Sequence, residues 1–502
     1  MPFSVRVCYN SYVKKVALSK LFLYRYRFYI GFFLLAVAYL TLLFGLPLLA
    51  PNGLSEAEMA SAAHSYALQP DNILRGDLVN LPYRALQKLS ISVLGLSVYS
   101  VKLPSIILGV FLGLLLILLL NRWFKTNVAL LASILAVLSA SFLYLAGSGT
   151  PLIMLVFWPT LLLWLGSKIQ GVTKPKPSYC FIFAFALLAS IFTPYMIYLA
   201  GFIVIFALLH PHLRFTIKTL PTIPLILTIF IILLGLSALV VAAFINPAII
   251  PELLLAPGLT MNGFIDNVKV AFLPLFSWST TLESDFLSPF VGLASIALAV
   301  IGLLSTAKGF FASRNSIASW LIVFTIFLAG LNPESAILIL LPLAILIAHG
   351  LRYILDKWYD LFPDNPYARI SAVFPIGFFM GIMIIGGISH FIFGYRYVPM
   401  VADEFDNDIT LVRANIEPGS TLYVVDDETA YNFFKILESE EKFCTVENTL
   451  PAPENYPKNF ATLGPTEVSG ELINIITSPK SNNSDRIYLY TSNQQVPEQV
   501  QE

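Results

Sequence analysis

Apolar runs recur along most of this chain, near residues 29–50, 102–121, 127–147, 150–167, 180–193, 196–210, 222–246, 287–305, 318–331, 335–354 and 371–395, with essentially no Asp, Glu, Lys or Arg at their centres. In lipid a backbone must satisfy its own hydrogen bonds, so runs of this kind become spanning helices. The expected fold is an all-α polytopic membrane protein of about eleven transmembrane helices. Some runs fall short of the roughly 20 residues of a perpendicular span. The fifth and sixth are joined only by Thr193-Pro194-Tyr195, so a single kinked helix is an open alternative there.

Charge sorts along the chain. After Arg396 there are 18 Asp/Glu against 6 Lys/Arg, and up to Arg396 there are 12 against 24. The formal net charge of zero therefore hides a basic membrane part and an acidic C-terminal part. A basic tail, residues 1–28 with Arg6, Lys14, Lys15, Lys20, Arg25 and Arg27, places the N-terminus in the cytoplasm. A full-length span follows it directly, so it does not read as a cleavable signal. With eleven spans, 18 of the 24 basic residues fall on cytoplasmic segments and 9 of the 12 acidic ones outside. The expected membrane domain is 29–395, with long outer loops near 51–101 and 247–286. Segment 261–273 is amphipathic and suits either the membrane interface or a helix packed on the bundle.

Residues 396–492 read as a small extracytoplasmic α/β domain and 493–502 as a polar tail. A strand is expected at 421–425, a helix at 428–437 behind the Asp426-Asp427 cap, a strand at 485–491 and loop at 449–466. The domain has no His and no nucleophile–base pattern, which suggests a docking module separable from lipid binding. Cys8, Cys180 and Cys444 lie in three different settings and support neither a disulfide framework nor a zinc site. No metal or other cofactor is expected, and nothing points to nucleic acid.

Charge-free span centres argue against an ion-coupled transporter, and His210, His349 and His390 lie at span ends. The exception to the charge sorting is the first outer loop. Arg75, Arg84, Lys88 and Lys102 fall in or just after it, together with Glu56, Glu58, His64, Asp71 and Asp77. Such a loop suits a lipid-linked phosphate substrate: cations hold the phosphate while a carboxylate takes a proton from an incoming nucleophile. It equally suits a solvated surface whose charges pair with each other.

The order of elements resembles the GT-C superfamily of membrane glycosyltransferases, in the branch of protein O-mannosyltransferases, aminoarabinose transferases and their bacterial homologues. The residues that carry the resemblance are Gly53-Leu54-Ser55-Glu56-Ala57-Glu58, Leu81-Pro82-Tyr83-Arg84, Leu94-Gly95, Lys102-Leu103-Pro104-Ser105 with Gly109, and Leu341-Pro342. It covers roughly residues 25–395. In that branch an Asp-Glu pair opens the first loop; here Ser55 stands where the Asp would be, and Glu56 keeps the Glu. The acidic residue that usually follows Thr-Pro is replaced by Leu152 after Thr150-Pro151, and the Lys of a Lys-Pro-Pro element is missing. A hydroxyl has no basicity near neutral pH, and Ser55-x-x-Glu58 also has the pattern of a helix capping box.

The resemblance implies transfer of a sugar from a polyprenyl-phosphate carrier to an acceptor (glycan, lipid or protein) on the outer face of the cell membrane. Glu56 would be the base. Arg84, Lys88, Lys102, Glu58 and His64 would line the substrate site. The other readings are a catalytically degenerate lipid-binding scaffold and a transporter or flippase. A second carboxylate beside Glu56, from Asp266, Glu283 or Asp285, would favour the enzyme.

Overall fold

The computed structural model describes residues 22–492 apart from 52, 171–175, 221, 255–260, 277–281, 284–285, 288, 308–312, 363–366, 368–370, 372, 403, 426, 442, 452–455, 467, 469 and 478–485. Glu283 is placed only as backbone, Asp285 falls outside the described residues, and so does the polar tail.

The chain forms two compact units, Met1–Leu46 and Pro47–Glu502. In the first, the apolar helix Phe22–Leu49 begins. The second holds the remaining elements. Among the described residues every apolar run of the sequence is mostly helix. Among the described residues six helices are long and apolar enough to cross a membrane, or up to seven counting a bent pair, and four more apolar helices are shorter. The chain is a multi-pass membrane protein.

One run is divided, and the fifth and sixth runs stay separate. Helices Thr126–Val137 and Ala140–Gly147 meet at 66°. Pro177–Ile191 and Met196–Leu209 are separate helices. Between them Pro194 has no amide to donate, and Tyr195 is left-handed at φ +66. Trp158 Nε1 donates to Thr193 Oγ1 at 3.0 Å and pins the break. Helix Leu293–Ala307 crosses helix Leu340–Leu361 where both carry glycine. A Cβ on Gly302 would lie 2.0 Å from the Leu346 carbonyl oxygen, and one on Gly350 would lie 2.1 Å from that of Leu298. Small residues let helix backbones approach this closely in lipid, where packing rather than water exclusion drives association. Helix Met261–Phe276 packs on the bundle: Asn267 Nδ2 donates to the Gly330 carbonyl at 3.1 Å, on helix Ser313–Leu331.

The acidic region carries a five-stranded sheet in the order β4-β3-β5-β7-β6, formed by β3 (Thr421–Tyr423), β4 (Thr445–Glu447), β5 (Asn459–Leu463), β6 (Glu471–Thr477) and β7 (Arg486–Thr491). β1 (Leu282–Glu283) and β2 (Phe286–Leu287) pair separately. β3 is parallel to β4 and β5, while β7 runs antiparallel to β5 and β6. The crossover between β3 and β4 is helix Glu428–Glu441, capped by Asp427 Oδ1, which accepts from the Ala430 amide at 2.8 Å. Strand alternation divides the side chains between two faces. Leu422, Val446, Ala461 and Ile487 pack with Phe433, Phe434 and Leu437 of the crossover helix. Tyr423, Phe460 and Tyr490, with Tyr456, form an aromatic cluster on the other face. The stretch expected as loop at 449–466 contains β5, because the Pro- and Asn-rich residues before it mask a short buried strand.

This region is not a separable module. Leu54, Met59, Ala62, Ile91, Leu96 and Val101, from the first long loop and the helix after it, share one buried core with the domain's Leu422, Phe433 and Leu437. Leu54 and Asp406 exchange both backbone hydrogen bonds, at 2.7 and 2.8 Å. Gly53, at φ +120, passes so close to Asp406 that a Cβ would lie 2.3 Å from its carbonyl oxygen. Removing the domain would expose the apolar face of the loop that carries the candidate site.

Candidate functional site

Helix Glu56–Tyr66 starts at the expected capping box. Ser55 Oγ accepts from the Glu58 amide at 3.3 Å, and the Ser55 amide donates to Glu58 Oε2 at 3.0 Å. Box geometry holds Glu58 on the inner face, where it is 1% exposed. There Glu58 Oε1 accepts from the Gly149 amide at 2.6 Å, and Lys102 Nζ lies 3.5 Å from Oε2. Lys102, 0% exposed on helix Val98–Trp123, also donates to the Pro51 carbonyl at 3.5 Å. Gly149 admits this contact because it lacks a side chain: a Cβ would lie 2.7 Å from Val101 Cγ1. Beside this pair, Gln87 of helix Leu81–Leu94 knits three segments together. It accepts from Ser61 and Ser65 and donates to the Val101 and Gly149 carbonyls.

Arg84 is held in the same way. On helix Leu81–Leu94 it makes a bidentate pair with Asp77 at 2.5 and 2.8 Å and donates to the His64 carbonyl at 2.8 Å. Burial opposes ionisation of the Asp77 carboxyl. The hydrogen bonds and charge of Arg84, with His64 beside it, outweigh burial and hold Asp77 below the usual carboxylate range. Lys88 donates to the Leu68 carbonyl. Its ammonium lies 5.9 Å over the Tyr66 ring, and its side chain is half-buried, so two of its three donors stay available.

Geometry therefore divides the expected site residues. Glu58, Lys102 and Arg84, expected to meet substrate, are buried in internal ion pairs that tie the loop to the bundle. This arrangement has a simple cause. The spacings that resemble phosphate-holding cations also put each cation beside its own carboxylate. Glu56, His64 and Lys88 keep access to solvent.

Glu56 and His64 share a face. At 3.6 residues per turn, Glu56, Ala60, Ala63, His64 and Ala67 fall on one stripe, opposite Glu58. Except for Glu56, these residues line a cleft of about 590 Å³ with Tyr66 on one wall and Glu428, Thr429, Asn432, Lys435, Ile436 and Ser439 of the crossover helix on the other. The stripe's alanines open the groove, and the far wall supplies hydroxyl, amide, carboxylate and ammonium groups. Sequence reading missed that wall entirely, since nothing in the spacing of residues 428–439 signals a partner almost 370 positions earlier. Asp266 is elsewhere, exposed and paired with Lys269 at 2.8 Å. Among the described residues no group of three His, Cys, Asp or Glu is placed to hold a metal ion.

His64 Nε2 sits 3.6 Å from Asp77 Oδ1. Partial burial and the charge of Arg84 push its pKa below the ordinary 6.5, against a smaller upward pull from Asp77. A lowered histidine pKa means the folded state prefers the neutral ring. Its contribution to stability is full above the unfolded value and is lost as pH falls through the folded one. In spectra of histidine-labelled protein, His64 should titrate below 6.5, and Arg84→Gln should move the midpoint up. An unshifted midpoint in both proteins would exclude this electrostatic arrangement.

No sequence family and no curated protein matches the chain. Solved structures do. ArnT from Cupriavidus metallidurans bound to undecaprenyl phosphate is similar at 13% identity with a TM-score of 0.53, covering 92% of this chain and 98% of that one. Its apo state is similar at 12% identity and a TM-score of 0.52, with the same coverage. The archaeal oligosaccharyltransferase AglB from Archaeoglobus fulgidus, in complex with an inhibitory peptide and a dolichol-phosphate, is similar at 12% identity and a TM-score of 0.50, covering 88% of this chain and 70% of that one. The chain thus shares the fold of these solved structures over most of its length.

Proposed function

We propose that this protein is a membrane glycosyltransferase that moves a sugar from a polyprenyl-phosphate-linked donor to an acceptor seated in the cleft between helices Glu56–Tyr66 and Glu428–Glu441. The observation that carries this reading is the cleft itself. Its far wall carries polar and charged side chains, its near wall is the stripe that begins at Glu56, and it lies in a fold shared with a protein solved with undecaprenyl phosphate and another solved with dolichol-phosphate.

The chemistry is a displacement at the anomeric carbon. An acceptor hydroxyl oxygen bonds to that carbon while its proton passes to the Glu56 carboxylate. The bond from the anomeric carbon to the phosphate oxygen breaks, and its electron pair leaves with the polyprenyl phosphate. Lys88 is a cation of the loop with donors still free, and it meets the phosphate through charge-assisted hydrogen bonds. Asp77 and Arg84 position the His64 edge of the cleft. Glu428 supplies a second carboxylate from the C-terminal domain.

Purified protein should carry polyprenyl phosphate, seen by mass spectrometry of extracted lipid, and should transfer labelled sugar from a polyprenyl-phosphate donor. Lys88→Ala should weaken donor binding, raising KM more than it lowers kcat. A protein that binds the carrier yet transfers to no tested acceptor would be a lipid-binding scaffold instead.

The same reading places the N-terminus in the cytoplasm, eleven spans in the membrane and the α/β domain outside. In a background without the native cysteines, a cysteine at Glu417 should react with an impermeant maleimide in intact cells, and one at Lys125 should not. Equal labelling would refute this topology.

A further inference from the structure

At the end of the bundle away from the cleft lies a second cavity, of about 300 Å³. Lys102 marks the cleft end of helix Val98–Trp123 and Trp123 marks the other, about 30 Å away at 1.5 Å per residue. Trp123, Leu163, Gly166, Phe202, Leu213 and Trp320 are among the residues around it, and almost all of its lining is apolar. Two polar atoms in this wall lack a partner among the described residues: Gln170 Nε2, at the last residue of helix Ile153–Gln170, and Thr228 Oγ1, just inside helix Thr222–Ile245. Both can donate, and a buried donor without a partner is costly.

Cations surround the same end. Arg122 adjoins Trp123 and donates to the Ser167 carbonyl at 3.2 Å, while Lys168 lies 5.8 Å over the Trp164 ring. Helix Pro211–Thr219 is amphipathic: Leu213 and Ile217 face the cavity, and Arg214 and Lys218, one residue further on in each turn, are exposed. Among the described residues none of these four cations has a carboxylate partner. Tryptophans at this level and a short basic amphipathic helix are what a membrane–water interface selects.

We propose that this cavity is a binding site for one acyl chain of an anionic phospholipid. The chain enters between helices Ile153–Gln170 and Met196–Leu209. Gln170 Nε2 and Thr228 Oγ1 donate to the lipid's ester carbonyls, and the phosphodiester meets Arg122 and Lys168. This site lies in the leaflet opposite the cleft and is independent of the proposed transfer reaction. The occupant is anionic because the rim is basic and uncompensated; a neutral lipid would satisfy the apolar wall but leave four cations unpaired.

Gly166 provides a direct test, because nothing lies within 4 Å of a Cβ placed there. Gly166→Phe therefore starts without a clash at its Cβ and adds bulk at the cavity wall. Native mass spectrometry of the full-length protein in detergent, with phosphatidylglycerol or phosphatidylcholine of identical chains added, reads occupancy directly. Wild type should retain phosphatidylglycerol in preference to phosphatidylcholine, and G166F should lose the adduct. The Arg122→Gln/Lys168→Gln double variant leaves the cavity intact, and it should lose roughly thirtyfold in apparent affinity for phosphatidylglycerol alone. Equal retention of the two lipids, or undiminished phosphatidylglycerol on a folded G166F, would overturn the proposal. Neither result bears on sugar transfer at the cleft.

Discussion

Glu56→Gln should lower turnover by roughly 100- to 10,000-fold, the range a general base supplies, with expression and melting temperature unchanged. The side chain is exposed at the start of its helix, and neither a hydrogen bond nor an ion pair to it occurs among the described residues. Gln conserves its size and nearly its helix propensity. Only the charge and basicity are lost, so the effect should fall on kcat and leave carrier binding intact. Glu58 gives the internal control. The capping pattern alone suggests that Glu58→Gln is mild, since Gln still reaches the N-cap amide. In the folded chain Glu58 also accepts from the Gly149 amide and neutralises Lys102, so its replacement should reduce stability first. A transfer assay in which Glu56→Gln retains wild-type turnover would remove Glu56 from the mechanism.

Lys102→Met should cost about 3–5 kcal/mol of stability, because it leaves the Glu58 charge buried without its partner. The two side chains are 0% and 2% exposed, so solvent cannot screen the loss. The pair in place contributes less than this figure, since burying both ions is itself costly. The discriminating measurement is the Glu58→Gln/Lys102→Met double variant, which removes both charges. Thermal unfolding in detergent should show the double variant recovering more than half of the single-variant deficit. Simple addition of the two single effects would mean that the side chains are not coupled.

The candidate site was only partly legible beforehand. Ser55-x-x-Glu58 is a local pattern, and the capping box formed as written because all its atoms lie within four residues. The roles of Arg84 and Lys102 were not legible. Each has a carboxylate partner set by the fold, Asp77 seven residues away and Glu58 forty-four residues away. A sequence shows both charges and leaves open whether they meet a ligand or each other. The far wall of the cleft was hidden for the same reason.

By itself the sequence determined the membrane helices, the polarity of the two parts of the chain and the start of the first loop helix. These follow from short-range rules: apolar length, charge sorting and end-capping. It also carried the layout that resembles the GT-C superfamily. Only the tertiary structure decided which charges are internal and which face the cleft. It also decided that the C-terminal domain shares a core with the first long loop, and that Glu428 rather than Asp266 lines the cleft beside His64. Those outcomes depend on which surfaces meet after folding, and burial makes an ion seek whatever opposite charge the fold brings within reach.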